Sequence, residues 1–170
     1  MKRSSNSTTV VPASAHVLSV SPISSDHVEL VRIFKGADPL LPAGARWETA
    51  PAQTLTSARN ALARVEYAAI LCECDLQPGS WKDVLESMES IANPPFLIVT
   101  SRQADEYLWA EALNLGAYDV LAKPFYPAEV IRVVSLACLR WQRMRQATEP
   151  ASEVIRSRRP GQSAGRAAIA

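Results

Sequence analysis

Residues 96–125 carry the pattern that decides the fold, and they read FLIVTSRQADEYLWAEALNLGAYDVLAKPF. The apolar run at 96–100 is typical of a strand that is buried on both faces of a sheet. Gln103–Leu115 follows with apolar residues at helical spacing, and Gly116 is a typical residue for ending a helix. Tyr118–Ala122 is then predicted as another strand. A strand, a helix and a strand in this order predict one unit of a parallel sheet.

The same alternation continues toward both ends of the chain. Further strands are predicted at His16–Ser21, Ala45–Thr49 and Ala68–Cys72. Further helices are predicted after a cap at Ser24–Asp26, over Thr54–Val65 and Trp81–Ile91, and from about Pro127 to Gln146. Five strands alternating with five helices predict an α/β fold with a doubly wound parallel sheet and helices on both faces.

The composition indicates one domain with basic ends. Of the 170 residues, 48% are apolar and 21% are charged, which excludes a chain that is disordered or fibrous throughout. The net charge of +1 gives no reason to expect a nucleic-acid or membrane partner. We predict a disordered tail over residues 1–15, one domain over 16–147, and a disordered basic tail over 148–170.

Two features favour a cytoplasmic location. No apolar run approaches the roughly 18 residues of a spanning helix, and the N-terminal segment lacks the apolar block of a secretory signal. The three cysteines, Cys72, Cys74 and Cys138, form no disulfide framework, as expected in a reducing compartment.

The candidate functional residues are those that follow the predicted strands. In a doubly wound sheet, ligands bind beyond the carboxyl ends of the strands. The polar residues at these ends are Ser21 with Pro22, the loop Glu73–Ser80, the segment Thr100–Arg102, and Lys123.

Three of these segments resemble the receiver domain of two-component response regulators, over about residues 16–146. They are the strand ending IVTS at 98–101, the GAYDVLAKPF segment at 116–125, and the loop at 73–79 with its Asp-Leu and Pro-Gly pairs. The resemblance implies a flavodoxin-like receiver fold with strand order 2-1-3-4-5 and a role in phosphorelay signal transduction. In active receivers, an acidic pair after the first strand and an Asp ending the third strand hold Mg²⁺. That Asp accepts a phosphoryl group from a histidine kinase.

The acidic pair of the family is missing from this chain. Ser21 and Pro22 stand at its two positions. Mg²⁺ prefers oxygen ligands, usually carboxylates with phosphate and water, whereas a serine hydroxyl is neutral and proline has no side-chain oxygen. We therefore expect no Mg²⁺ site, no other metal and no cofactor.

The phospho-acceptor position has also changed. Matching Leu76 to the family pattern puts Glu73 there, whereas matching Pro78 to the family's proline puts Cys74 there. We prefer Glu73, because loops of the family can read Asp-x-Asp-Leu-Pro-x-Gly, and residues 73–79, ECDLQPG, resemble that pattern. A glutamate there can imitate the switched state without the phosphoryl charge of about −1.5 to −2. A solvated loop carboxylate is the alternative interpretation of Glu73, and Asp75 is the alternative acceptor.

Three more residues match the receiver pocket. The resemblance assigns Thr100 to the switch hydroxyl and Lys123 to the cation that contacts the phosphoryl group, and it implies a cis peptide between Lys123 and Pro124. A pair between Glu73 and Lys123 would keep the pocket in shape without a metal. Ordinary structural roles for Thr100 and Lys123 are the alternative.

The last helix is the candidate for a protein contact. Its apolar residues cover more of its circumference than one sheet-facing side requires. The corresponding region of receivers commonly forms the dimer or effector face, so Val133, Leu136 and Trp141 are the interface candidates. The alternative is a helix that only packs on the sheet and extends into the basic tail.

Together these features predict a stand-alone, degenerate pseudo-receiver that signals by protein–protein interaction, without phosphorylation and without enzymatic activity. The expected partner is another protein or a second copy, contacted through the last helix, with a sensor histidine kinase as a further candidate. Membrane and nucleic-acid partners are not expected. Two alternatives stay open: a phosphorylatable receiver of a phosphorelay that uses Asp75 or another carboxylate, and a small flavodoxin-like ligand-binding protein.

Overall fold

The computed structural model describes residues 14–37 and 46–148, which contain five strands alternating with five helices. The strands are β1 (Ser14–Val20), β2 (Arg46–Ala52), β3 (Ala69–Glu73), β4 (Phe96–Ser101) and β5 (Asp119–Ala122). The helices are α1 (Ser24–Gly36), α2 (Leu55–Leu62), α3 (Trp81–Glu86), α4 (Glu106–Leu115) and α5 (Pro127–Thr148). All neighbouring strands pair in parallel in the order β2-β1-β3-β4-β5, which confirms the predicted fold.

Helices cover both faces of the sheet. α1 and α5 pack on one face, over a core that includes Val17, Leu71, Ile98 and Leu121. α2, α3 and α4 pack on the other face, over a core that includes Leu18, Ile70, Leu97 and Val120. Successive residues of a strand point to opposite faces, so the central strands need continuous apolar runs. None of the helices in the described ranges has the length and apolar character needed to cross a membrane.

The domain extends slightly beyond its predicted limits. β1 begins at Ser14, inside the predicted tail 1–15, because Ser14 and Ala15 already pair with β2. α5 continues to Thr148, the first residue of the predicted tail 148–170. The rest of both predicted tails lies outside the described residues.

The second, third and fourth helices are shorter than predicted, and α2 covers Leu55–Leu62 instead of Thr54–Val65. α3 begins after Ser80, whose backbone N–H donates to an Asp83 carboxylate oxygen at 2.8 Å, and it ends at Glu86 instead of Ile91. α4 begins three residues later than predicted, because the Asp105 carboxylate accepts a hydrogen bond from the Leu108 N–H at 2.9 Å. Gly116 ends α4 as predicted, with a φ of 105° that favours glycine.

The strand registers bring the candidate residues to one edge of the sheet. Glu73 at the end of β3 pairs with Thr100 of β4, and Ser101 pairs with the last residue of β5, which directly precedes Lys123. On the other side, the Ser21 N–H extends the β1–β2 pairing by donating to the Ala52 carbonyl at 3.0 Å. The carboxyl ends of the strands therefore form the candidate site, as the sequence predicts.

Candidate functional site

Lys123 lies at the centre of the polar residues at this edge. Its N–H donates to the Ser101 carbonyl at 2.8 Å, and the peptide bond to Pro124 is cis, as the resemblance implied. Its side chain is only 5% exposed. The ammonium forms ion pairs with Glu73 Oε2 and with Asp26 Oδ2. The predicted pair between Glu73 and Lys123 is therefore present, together with a second carboxylate.

Glu73 is a buried strand residue and not a loop carboxylate. It is the last residue of β3, and its residue exposure is 5%. The interpretation of Glu73 as a solvated loop side chain is therefore wrong, because the β3–β4 pairing continues through it. Asp75, two residues further on, is exposed to solvent.

Asp26 is the site residue that the sequence analysis missed. The segment Ser24–Asp26 was predicted to cap the first helix, and this is wrong: α1 begins at Ser24, and its N-cap residue is Ile23. Asp26 thus lies in the first helical turn, where a carboxylate is electrostatically favoured. It is buried, and its Oδ2 accepts hydrogen bonds from Ser21 Oγ at 2.6 Å and from Lys123. The available signal was that Asp26 is the first carboxylate after the first strand.

Ser21 and Pro22, which the resemblance assigns to the acidic-pair positions, have different surroundings. Ser21 is buried, and its hydroxyl accepts from the Ile23 N–H at 3.1 Å while it donates to Asp26. Pro22 is exposed and lines a cavity beside the site. Ser21 therefore orients Asp26 toward Lys123.

A histidine extends the buried polar network along β1. His27 Nε2 lies 3.0 Å from the Ser21 carbonyl oxygen, and Nδ1 lies 2.7 Å from Ser19 Oγ. Because a carbonyl only accepts, Nε2 carries the hydrogen, and in the neutral ring Nδ1 accepts from the Ser19 hydroxyl. His27 thus fixes the end of β1 against α1.

The two hydroxyl residues at the end of β4 differ in their contacts. Thr100 is buried beside Glu73 in the register, but its side chain makes no hydrogen bond within the described residues. Ser101 lies within the candidate segment Thr100–Arg102 but was given no specific role, and its hydroxyl oxygen accepts from Cys74 Sγ at 3.2 Å and from the Gln103 N–H at 3.0 Å. The second hydroxyl of the IVTS segment was the signal for it.

An open cavity of about 470 Å³ lies beside these residues. Its lining includes Pro22, Glu73, Cys74, Asp75, Ser101 and Arg102. Burial raises the pKa of the Cys74 thiol, which keeps it protonated at neutral pH. Beside the buried Glu73, the cavity therefore presents the exposed carboxylate of Asp75, the thiol of Cys74 and the side chain of Arg102 from the segments after β3 and β4.

The residues present do not suit Mg²⁺. This ion requires several oxygen ligands in near-octahedral geometry, most often carboxylates. Asp26 and Glu73 are both paired with the Lys123 ammonium, and the Ser21 hydroxyl donates a hydrogen bond to Asp26. Ligand atoms of Glu73, Cys74 and Asp75 lie within 4.8 Å of one another, but Glu73 is taken up by Lys123 and the thiol is protonated. A dication would meet the buried ammonium at short range, which is repulsive.

Comparisons with known proteins find matches to the fold but not to the sequence. No family model matches the chain, and no curated protein matches it. Solved structures do match. The receiver domain of a putative LuxO repressor protein from Vibrio parahaemolyticus has a TM-score of 0.69 and 19% identity, covering 79% of this chain and 97% of that one. The chain has the receiver-domain fold.

Two further receiver structures support this fold. The signal receiver domain of an HD domain-containing protein from Pseudomonas fluorescens gives a TM-score of 0.67 at 19% identity, covering 82% of this chain and 98% of its own. The receiver domain of a sensor histidine kinase from Pseudomonas aeruginosa, with a magnesium ion in its active-site cleft, gives 0.60 at 20% identity, covering 76% and 98%. The receiver fold is thus kept although few residues are shared.

Two of the three interface candidates are core residues. Val133 and Trp141 are 1% and 6% exposed, and Trp141 Nε1 donates to the Asn93 carbonyl at 3.2 Å. Their assignment to an interface is wrong, because α5 packs against α1 as well as against the sheet, so two of its sides are buried. Leu136 is 48% exposed and is the one candidate of the three that faces solvent.

Proposed function

We propose that this protein is a receiver-like signal-transduction module of the cytoplasm that acts by protein–protein interaction without phosphorylation and without catalysing a reaction. The observation that carries the proposal is the state of Glu73. The resemblance assigns Glu73 to the acceptor position of receivers, and in the structure this residue is buried in an ion pair with Lys123.

Phosphoryl transfer to an acceptor carboxylate needs a free oxygen and a cation that offsets the charge of the phosphoryl group. Glu73 Oε2 is engaged by Lys123, and its Oε1 accepts a hydrogen bond from Cys74 Sγ at 3.5 Å. The two positions that the resemblance assigns to the acidic pair hold Ser21 and Pro22. No carboxylate from those two positions is available for a metal. These features support a site with one fixed arrangement, held by its own charges.

The surface supports contact with another protein. α4 and α5 both pack against β5, which is an edge strand of the described sheet. These two helices expose large apolar side chains, and those on α4 include Tyr107, at 87% exposure, and Leu113. On α5 they are Leu136 and Met144. Large exposed apolar side chains are suited to contact with a partner, so we place the partner or a second copy on these two helices.

The test is exposure of the protein to a phosphoryl donor. The chain is incubated with Mg²⁺ and acetyl phosphate, and separately with Mg²⁺ and beryllofluoride, beside an active receiver domain as the positive control. We expect the intact mass and the amide NMR spectrum of this protein to stay unchanged while the control responds. A stable phosphoryl adduct on the wild-type chain would contradict the proposal.

A phosphorylatable receiver that uses Asp75 is the second candidate, because Asp75 is exposed and lines the same cavity as Arg102. An arginine near an exposed carboxylate can bind a phosphoryl group. If any labelling occurs, Asp75→Asn and Glu73→Gln decide between the two carboxylates. Loss of the label in Asp75→Asn alone would establish this second function.

A further inference from the structure

The site contains three buried charged groups, of which two are negative and one is positive. The side chains of Asp26 and Glu73 are 9% and 7% exposed, and both contact the ammonium of Lys123. Two carboxylates and one ammonium leave one uncompensated negative charge. Buried charges are costly unless they are paired, so the two carboxylates need a cation at the position of the ammonium.

We propose that Lys123 is the resident cation of a carboxylate site formed by Asp26 and Glu73, and that this site becomes a divalent-cation site when the ammonium is removed. The inference rests on the proposed function, since it explains how the fold holds its site without a metal. The ligand class is a hard dication that takes oxygen ligands, with the Ser21 hydroxyl beside Asp26 as a neutral third oxygen.

The geometry assigns this role to Asp26 although it does not stand at an acidic-pair position. Asp26 comes from the first turn of α1, Glu73 from the end of β3, and Lys123 from the residue after β5. Ser21 Oγ donates to the same oxygen, Oδ2 of Asp26, that receives Lys123. The Ser21 hydroxyl thereby orients the Asp26 carboxylate toward the Lys123 ammonium.

Tethering explains why the ammonium prevails over an ion from solution. Lys123 is fixed by its N–H bond to Ser101, so its side chain competes as an intramolecular ligand at high effective concentration. A dication would have to expel a buried ammonium that has no other carboxylate partner in the described part of the chain. Without the ammonium, the same two carboxylates would lie close together and bind a dication to relieve their repulsion.

The experiment titrates Mn²⁺ into the full chain and follows paramagnetic broadening of amide signals around Asp26 and Glu73. We expect no specific broadening in the wild type. Lys123→Met should bind Mn²⁺ at least about tenfold more tightly than the wild type. This gain in Mn²⁺ affinity should disappear in the double variant that combines Lys123→Met with Asp26→Asn. Lys82→Met is the matched control, because Lys82 also pairs with a carboxylate, Glu111, but on the exposed surface.

Either of two results would overturn the inference: wild-type protein that binds Mn²⁺ at this site as tightly as Lys123→Met, or a folded Lys123→Met that gains no binding.

Should that variant not fold, the wild-type ammonium itself is observed by ¹⁵N NMR. We expect a resolved Lys123 Nζ signal protected from water exchange, which shifts in both Asp26→Asn and Glu73→Gln. A rapidly exchanging signal would refute the proposal. Phosphoryl labelling tests the proposed function separately, so the two failures can be told apart.

Discussion

The site holds one positive and two negative side chains, those of Lys123, Asp26 and Glu73. The effect of a substitution there on stability depends on whether the remaining charges still balance. Removing the lysine leaves two buried carboxylates with no cation between them. Neutralising one carboxylate leaves a balanced pair of one carboxylate and one ammonium. Because an uncompensated buried charge is expensive, these changes should differ strongly in cost.

We predict that Lys123→Met lowers the free energy of unfolding by about 3–5 kcal/mol. Glu73→Gln should lower it by only about 1 kcal/mol, since Asp26 still neutralises Lys123. Urea unfolding followed by circular dichroism measures both values. Equal losses in the two variants would mean that charge balance does not control the stability of the site.

The cysteines provide a second prediction at the scale of single residues. Burial raises the pKa of Cys138 to about 12 and also raises the pKa values of Cys72 and Cys74. Only the thiolate reacts with disulfide reagents, so at pH 8 the native protein should react slowly, through the partly exposed Cys74. Ellman's reagent should modify all three thiols in denaturant. Rapid native labelling of Cys72 or Cys138 would contradict their burial.

Site residues could be predicted where a local pattern encodes them. Glu73 and Lys123 follow predicted strands, and strand ends converge in a parallel sheet, so their proximity could be inferred. The position of Asp26 could not be inferred. A Ser-Ser-Asp segment can either cap a helix or form its first turn with the aspartate buried, and the sequence does not distinguish the two. The choice depends on the contact with Lys123, which lies 97 residues away along the chain.

At the scale of elements, the sequence predicts the order of strands and helices but not every helix end. Continuous apolar runs identify β3 and β4, because both faces of these strands are covered. The end of α3 depends instead on hydrogen bonds of individual side chains. The Ser87 hydroxyl, for example, donates to the Asp83 carbonyl at 2.6 Å, where the helix stops. Such a hydrogen bond cannot be predicted from the spacing of apolar residues along the helix.

The start of α3 gives a prediction about pH. Hydrogen bonds from the Ser80 hydroxyl and N–H lower the pKa of Asp83. The folded pKa lies below the unfolded one, so this contribution is complete above about pH 4 and is lost as the pH falls through the folded pKa. Ser80→Ala should raise the pKa of Asp83 toward its ordinary value and lower the stability at neutral pH, because the helix loses its N-cap side chain. An NMR titration of the Asp83 carboxyl group in the wild type and in Ser80→Ala checks the shift, and an unchanged pKa in the variant would contradict the prediction.

At the scale of the whole molecule, α5 has a buried side and an exposed side, and the sequence alone did not separate them. Its broad apolar surface was interpreted as room for a partner, whereas the contact with α1 uses much of it. A helix between a sheet and another helix needs two apolar sides, and the hydrophobic period does not tell which neighbour covers each side. Val133 and Leu136 are therefore a matched pair of apolar residues on one helix with opposite surroundings.

We predict that Val133→Ala lowers the free energy of unfolding by about 2 kcal/mol, because it removes buried methyl groups and leaves a cavity. Leu136→Ala should change it by less than about 0.5 kcal/mol, as expected for an exposed site. Leu136→Asp should keep the fold while weakening association with a partner or a second copy, measured by sedimentation over a concentration series and by capture of bound proteins. A Leu136 substitution that costs as much stability as Val133→Ala would place Leu136 in the core and remove it from the interaction surface.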